Sequence, residues 1–409
     1  MSISKNETPI QFIPKAKQTV SDVVLTALPP LSLYIHIPWC LRKCPYCDFN
    51  SHEINTGTDF SVLESAYVDA LTQDLDNTLP QVWGRRVSSI FIGGGTPSVL
   101  SAQSMDAILS AVRARLPQVS EIEVTMEANP GTLDTDKLRD FRAAGVTRLS
   151  LGVQSFDDGL LDSIGRIHTG KQARVALDTA YQLFDKVNLD LMFALPNQTL
   201  AQLKNDVATA LSYHPTHLSY YHLTIEPNTF FHQHPPSVPD DEAAIDMQEW
   251  IQSELASQGL RHYEVSAYAQ ARHECQHNTN YWLFGDYIGI GAGAHGKISS
   301  HNQIVRTAKF KHPKRYLDAM QQGGAIETEQ VLRKADLPFE YMLNALRLRD
   351  GATLAQMQTA TGLNVADLEP ALTEAQMRGL MVKDAGVLRV TDLGWRFLSD
   401  VQTMFLDAD

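Results

Sequence analysis

From Leu31 onward, short apolar runs rich in β-branched residues alternate with amphipathic stretches of helical length. The runs at 31–37, 87–92, 121–127, 147–153, 187–193 and 216–223 predict strands. The stretches near 59–78, 101–116, 134–144, 169–184 and 200–213 predict helices between them. Ser101 is placed to cap one helix and Gly145 to end another. Six such alternations predict an α/β protein, a parallel sheet with helices on its outside. Barrels of this kind gather their active groups at the carboxyl ends of the strands. Here those ends lead to a cysteine loop at 40–47, to Gly93-Gly94-Gly95-Thr96-Pro97, to Glu127, to Gln154-Ser155, to a strand carrying Asp190, and to Tyr221-His222. Polar or glycine chemistry at six strand ends points to one shared site.

The flanks read differently. Residues 1–30 hold Pro9, Pro14, Pro29 and Pro30 with little periodicity, which predicts an extended, disordered lead-in. Residues 240–258 predict a helix capped by Asp240, and 260–268 a further strand. After about Phe310, helices near 338–348, 353–361 and 367–378 precede a β-like pair at 379–383 and 387–391 and a last helix from Asp392 or Gly394. That pattern predicts a winged-helix-like α+β domain over 309–409, following a core unit over 31–308.

Composition narrows the class. In 409 residues, 34 Lys and Arg stand against 47 Asp and Glu, so the net charge of −13 argues against a broad nucleic-acid-binding face. No stretch approaches the roughly 18 apolar residues of a membrane span, and Met1–Thr19 is too polar for a signal peptide. Three of four cysteines fall within eight residues, which indicates a reducing, cytoplasmic setting and a metal or cluster role.

The cysteines are Cys40, Cys44 and Cys47, spaced Cys-x3-Cys-x2-Cys. Three thiolates from one loop can hold three corners of an Fe–S cube and leave a fourth iron open. A structural zinc site with His36 or His52 as fourth ligand is the alternative. In Gly93–Pro97, glycines let the backbone approach a ligand with its N–H and C=O groups free, or simply make a tight turn. Asp190, between Leu189 and Leu191, calls for a ligand or an ion pair. His277-Asn278-x-x-Tyr281-Trp282 joins a candidate iron ligand to two aromatics that suit either a flat macrocycle or a core. Cys275 reads as a small buried thiol, and His295, in a glycine-rich turn, as a residue at the site's mouth.

The cysteine loop resembles the signature of radical S-adenosylmethionine (SAM) proteins. With the GGGTP turn, the run Gly152-Val-Gln-Ser-Phe-Asp157 and the terminal module, residues 31–400 resemble the coproporphyrinogen dehydrogenase branch of that superfamily, and within it the HemW-type haem chaperones. The resemblance implies a partial (β/α)6 barrel and one [4Fe–4S] cluster on Cys40, Cys44 and Cys47. It implies SAM contacts from Tyr34, Tyr46, Gly94, Gly95, Thr96, Glu127, Gln154, Arg166 and Asp190, with Arg166 suited to the SAM carboxylate. It also implies haem handling by His277, Asn278, Tyr281 and Trp282. Two features depart from the dehydrogenase: Phe49 stands where that enzyme has a further cysteine, and only 39 residues precede Cys40, where that enzyme has a longer segment. The leading expectation is therefore a chaperone that binds the cluster, SAM and haem and delivers haem to acceptor proteins, including membrane-bound respiratory ones by peripheral contact. The runner-up is oxidative decarboxylation of two propionates of coproporphyrinogen III, through a 5′-deoxyadenosyl radical, to protoporphyrinogen IX. A third reading makes the cluster a redox or assembly switch, with the oligomeric state depending on it.

Overall fold

All six apolar runs are strands in the computed structural model, which describes residues 22–54, 57, 59–384 and 386–406. They are β1 (Leu31–Ile37), β2 (Val87–Gly94), β3 (Gln118–Ala128), β4 (Arg148–Gln154), β5 (Lys186–Phe193) and β6 (His217–His222). They pair in that order, each pair parallel. Helices α1 (Phe60–Thr78), α2 (Ala102–Arg115), α3 (Thr135–Ala144), α4 (Asp158–Ser163), α5 (Gly170–Leu183) and α6 (Leu200–Leu211) fill the connections. Ser101 caps α2 by accepting the Ser104 N–H, and Gly145 closes α3 at φ 119°, a left-handed angle that a side chain would resist. The result is a partial (β/α)6 barrel.

Successive strand residues face opposite sides. One series, such as Leu31, Leu33, Ile35 and Ile37 or Leu149, Leu151 and Val153, is buried against Leu71, Ile108, Phe141, Leu177 and Val207 of the surrounding helices. The other series is polar: Ser150 and Gly152 on β4, Asn188 and Asp190 on β5, His217 and Ser219 on β6, all lining a central cavity. Closed eight-stranded barrels fill this space with branched apolar side chains. A polar lumen leaves this one open to a ligand.

Among the described residues the sheet has twelve strands. After α7 (Asp241–Ser257), the expected strand at 260–268 is a pair, β7 (Arg261–Glu264) and β8 (Ala267–Ala269), with β8 antiparallel to β6. The short helix α8 (Gln276–Trp282) leads into β9 (Asp286–Ile290), which lies parallel to β1 on its other side. Antiparallel β10 (His295–Ser300), β11 (Gln303–Lys309) and β12 (Ile326–Val331) follow, with α9 (Pro313–Met320) before the last. Sequence periodicity did not foresee β9 to β12. Gly289 explains part of this: a Cβ there would lie 1.9 Å from the His295 carbonyl oxygen, so a glycine that reads as a turn is needed for strand crossing. β12 is an exposed edge with almost no apolar signal. The β9 end is pinned by the buried Asp286 carboxylate, which accepts from Lys297 Nζ and Arg85 at 2.8 Å each and from the Ser299 N–H at 2.9 Å.

The remaining chain forms α10 (Leu337–Ala345), α11 (Leu354–Thr361), α12 (Ala371–Met377), α13 (Asp392–Arg396) and α14 (Leu398–Thr403), with 352–353 paired to 387–388, a winged-helix-like domain. The expected division at 308/309 falls inside β11, and the sheet continues to Val331. Of the expected lead-in, residues 1–21 lie outside the described residues. Residues 22–25 are a strap, not a loose end: Val23 and Leu25 are buried with Leu337, Met357 and Val401, the Leu25 N–H donates to the His301 carbonyl, and the Leu25 carbonyl accepts from His301 Nδ1, both at 2.9 Å. No helix among the described residues is long and apolar enough to cross a membrane.

Candidate functional site

The cysteine loop leaves β1 and is held where 39–40 pair with 52–53 and where Trp39 packs edge-on against Tyr67 at 4.7 Å. Each thiol faces a polar neighbour. Thr96 Oγ1 donates to Cys40 Sγ at 3.2 Å, an Arg166 N–H donates to Cys44 Sγ at 3.6 Å, and Ser51 Oγ lies 3.6 Å from Cys47 Sγ. Hydrogen bonds to cluster sulfurs stabilise their negative charge and tune potential. Burial pushes the Cys40 and Cys47 thiols up, so they ionise when a metal centre takes the charge. The zinc alternative fits poorly. His36 spends both ring nitrogens, one at 2.9 Å from the Tyr34 hydroxyl and one at 2.9 Å from the Asn50 carbonyl, and His52 is held by Asn50. Among the described residues no three His, Cys, Asp or Glu side chains are arranged around a single metal ion.

The glycine turn docks on this loop. Gly95 N–H donates to the Ile37 carbonyl and Thr96 N–H to the Trp39 carbonyl, both at 2.7 Å, while Gly94 N–H donates to Glu127 at 3.1 Å. These N–H groups are therefore committed to protein, contrary to the expectation that they stand free. The glycines are needed for approach: a Cβ on Gly95 would lie 2.6 Å from the Trp39 carbonyl oxygen, and one on Gly94 2.6 Å from the His36 ring.

Behind the turn, a cavity of about 500 Å³ runs through the barrel. Cys40, Cys44, Tyr46, Cys47, Gly94, Gly95, Thr96, Glu127, Gln154, Arg166 and Asp190 all line it, so ten strand-end and loop positions and the strand-borne Asp190 share one cavity. Tyr34 is not among the lining residues; its ring stacks on Phe91 at 6.3 Å and its hydroxyl serves His36. Gln154 sits at φ 65° after a bulge opposite Asp190, strain that turns both it and Gly152 towards the cavity. Arg166 donates to the Gly152 carbonyl at 2.6 Å, yet its buried Nε has no partner. An orphaned donor on the wall of a cavity suits an anionic ligand group.

Glu127 is pushed up to about 8 by burial and by the nearby Asp190 charge, against the Gly94 N–H bond. Its folded-state value is raised, so between about pH 4.5 and 8 the folded chain keeps a proton that the unfolded chain releases. Stability from this group accordingly falls as pH rises through that window. Glu127→Gln is expected to flatten that slope, read by thermal melts at pH 6 and pH 9; a slope unchanged from the parent would refute it.

The cavity floor went unread in the sequence. Asp190 accepts from Ser150 and from Asn188, both at 2.8 Å; the Asn188 carbonyl accepts from His217 Nδ1 at 2.6 Å, and the Tyr263 hydroxyl lies 2.9 Å from His217 Nε2. Burial holds His217 well below its usual range, hence neutral. Arg148, on the same floor, is 3% exposed. The signal that could have found these residues is the polar alternation in β4 to β6.

The 277–282 segment reaches the cavity at one residue. Asn278 lines the cavity. His277, Tyr281 and Trp282 do not: His277 packs against Phe91 at 5.0 Å with its Nδ1 3.4 Å from Ser89 Oγ, Tyr281 lies on Tyr287 at 4.9 Å, and Trp282 lies under Arg347 at 4.3 Å. His277 is buried, while Tyr281 and Trp282 are half-buried and pack on protein neighbours on one side. Burial takes His277 down to about 3. Cys275 is buried as expected, and His295, at the start of β10, is not among the cavity residues.

The barrel and its cysteine loop define a radical SAM protein, and the radical SAM superfamily model matches residues 34–210. The HemN C-terminal domain model matches residues 332–397. The chain is 46% identical over 384 residues to the haem chaperone HemW of Escherichia coli (strain K12), covering 93% of this chain and 100% of that one. It is 35% identical over 384 residues to haem chaperone HemW of Bacillus subtilis (strain 168), covering 92% and 99%. It belongs to the HemW family. In fold it is similar to coproporphyrinogen III oxidase (HemN) from Escherichia coli, described as a radical SAM enzyme, with a TM-score of 0.79 at 23% identity over 92% of this chain and 90% of that one.

Proposed function

We propose that this chain is a haem carrier on a radical SAM scaffold. It holds a [4Fe–4S] cluster on Cys40, Cys44 and Cys47, SAM beside it, and haem as cargo for acceptor haem proteins in the cytoplasm or at the membrane surface. The observation that carries the cofactor reading is the meeting of three donor-supported thiols with an unpaired Arg166 Nε on one cavity wall. The name shared by its relatives carries the cargo.

When bound, the cluster and SAM supply one-electron chemistry that no side chain can. The chain's own residues bind and shield. Arg166 offers its free N–H to the SAM carboxylate. Glu127 and the carbonyls of the glycine turn suit an ammonium group, and Asp190, held by Ser150 and Asn188, suits hydroxyls. Within 277–282 we assign cavity contact to Asn278, with Tyr281 and Trp282 holding α8 in place. Phe49, 61% exposed at the cavity mouth, puts an apolar ring where the dehydrogenase pattern has a thiol.

On anaerobic, cluster-loaded protein, titration with haem is expected to give a shifted Soret band that saturates. The same sample with dithionite, SAM and coproporphyrinogen III is expected to yield no protoporphyrinogen. Absence of saturable haem binding would sink the carrier reading, and appearance of protoporphyrinogen would favour decarboxylation.

A further inference from the structure

Arg148 opens β4 on its lumen face and is 3% exposed. Among the described residues its guanidinium has no hydrogen bond and no ion pair, although it lines the central cavity. The carboxylates whose fields reach it are Glu123 and Asp190, and both are spent elsewhere. Glu123 accepts from Lys186 Nζ at 3.1 Å on one oxygen and from the Gln276 N–H at 2.9 Å on the other. Asp190 accepts from Ser150 and Asn188, one on each oxygen. His217 and His277, the neighbouring rings, both feel the Arg148 charge and are held neutral by burial, so neither offsets it.

A guanidinium on a cavity wall with no protein acceptor leaves its donors to whatever fills the cavity. A protein that keeps one facing a cavity has left room for an anion. Arg is the side chain suited to bidentate pairing with a carboxylate. A second arginine lines the same cavity from the C-terminal domain: Arg347 lies 4.3 Å over the Trp282 ring, its Nε is buried without a partner, and its nearest carboxylate, on Glu264, is 4.0 Å away. Arg166 already serves Cys44 beside the cysteine loop, so Arg148 and Arg347 are two further cations on the cavity lining.

We propose that Arg148, assisted by Arg347, is the anchor for a carboxylate side chain of the tetrapyrrole cargo. This deepens the haem-carrier reading and rests on it. A propionate is the group on haem that matches a buried guanidinium, and the methyl ester of that propionate does not. SAM also carries a carboxylate, so the test must separate the two sources.

The experiment compares haem, haem dimethyl ester in the same detergent, and SAM as ligands of the cluster-loaded full chain and of Arg148→Met, Arg148→Lys and Arg347→Gln. Haem is expected to bind the parent roughly tenfold or more tighter than its ester, the size of a charge-assisted hydrogen bond. Arg148→Met should erase that preference, Arg148→Lys restore part of it, and Arg347→Gln reduce it less. SAM affinity should stay unchanged in all three. Added haem should raise the melting temperature of the parent more than that of Arg148→Met; a purely structural arginine would leave the two ligand-induced shifts equal. Equal binding of haem and ester by the parent, or a loss confined to SAM, overturns the anchor while leaving the carrier reading intact. No haem binding by the parent overturns both.

Discussion

Replacing Cys44 with alanine is expected to leave the reconstituted chain without its cluster, with iron and sulfide falling to background and the cluster's broad visible absorption lost. One of three thiolates is then missing, and the loop has no substitute within reach. His36 spends both ring nitrogens on Tyr34 and Asn50, and Cys275 lies buried beside Tyr263 at the other end of the barrel. The companion variant Thr96→Val keeps all three thiols and removes one donor to Cys40. It should retain the cluster and shift its reduction potential, because hydrogen bonds to sulfur set that potential. A Cys44→Ala protein with full iron content would show that the thiols are not the ligands.

The second large effect is on stability. Asp286 is fully buried, and its two oxygens take Lys297 Nζ, Arg85, and the Ser299 N–H and hydroxyl. Lys297 is 1% exposed. Asp286→Asn therefore strands an ammonium in the interior, and breaking a buried pair in this way costs roughly 3–5 kcal/mol. Urea unfolding, compared at equal m-value, should show a correspondingly lower midpoint; a shift under about 1 kcal/mol would mean that water reaches Lys297. Burial alone would raise the Asp286 carboxyl, but the Lys297 and Arg85 charges hold it below its usual range. With the folded value depressed, the stability it contributes is present above the ordinary carboxylate range and is lost as pH falls through the depressed value. Glu127 acts in the opposite sense.

Most of the barrel could be read from the sequence because its outer face carries a strong signal. Strands such as Leu31–Ile37 alternate apolar residues towards the helices, and caps such as Ser101 and Gly145 mark element ends by local geometry. The cysteine spacing is likewise local, so the cluster loop is legible without a fold. What escaped depends on distant partners. β9 hides behind Gly289, whose need comes from His295 across a strand pair. Arg148 looks like any charged residue until Glu123 and Asp190 are seen to be engaged elsewhere. The aromatic residues of 277–282 suit a macrocycle or a core equally until Tyr287 and Arg347 are seen against them.

The strap at Val23 and Leu25 sits in the same buried cluster as Val401 and Phe405. The first and last described stretches of the chain thus complete one core between them. A polypeptide emerging from the ribosome makes the barrel strands long before it can finish that core, since Val23 must wait for residues almost four hundred positions later. Truncating the side chains of Val23 and Leu25, or those of Val401 and Phe405, opens the same seam, so a change in one pair should register as loosened packing at the other.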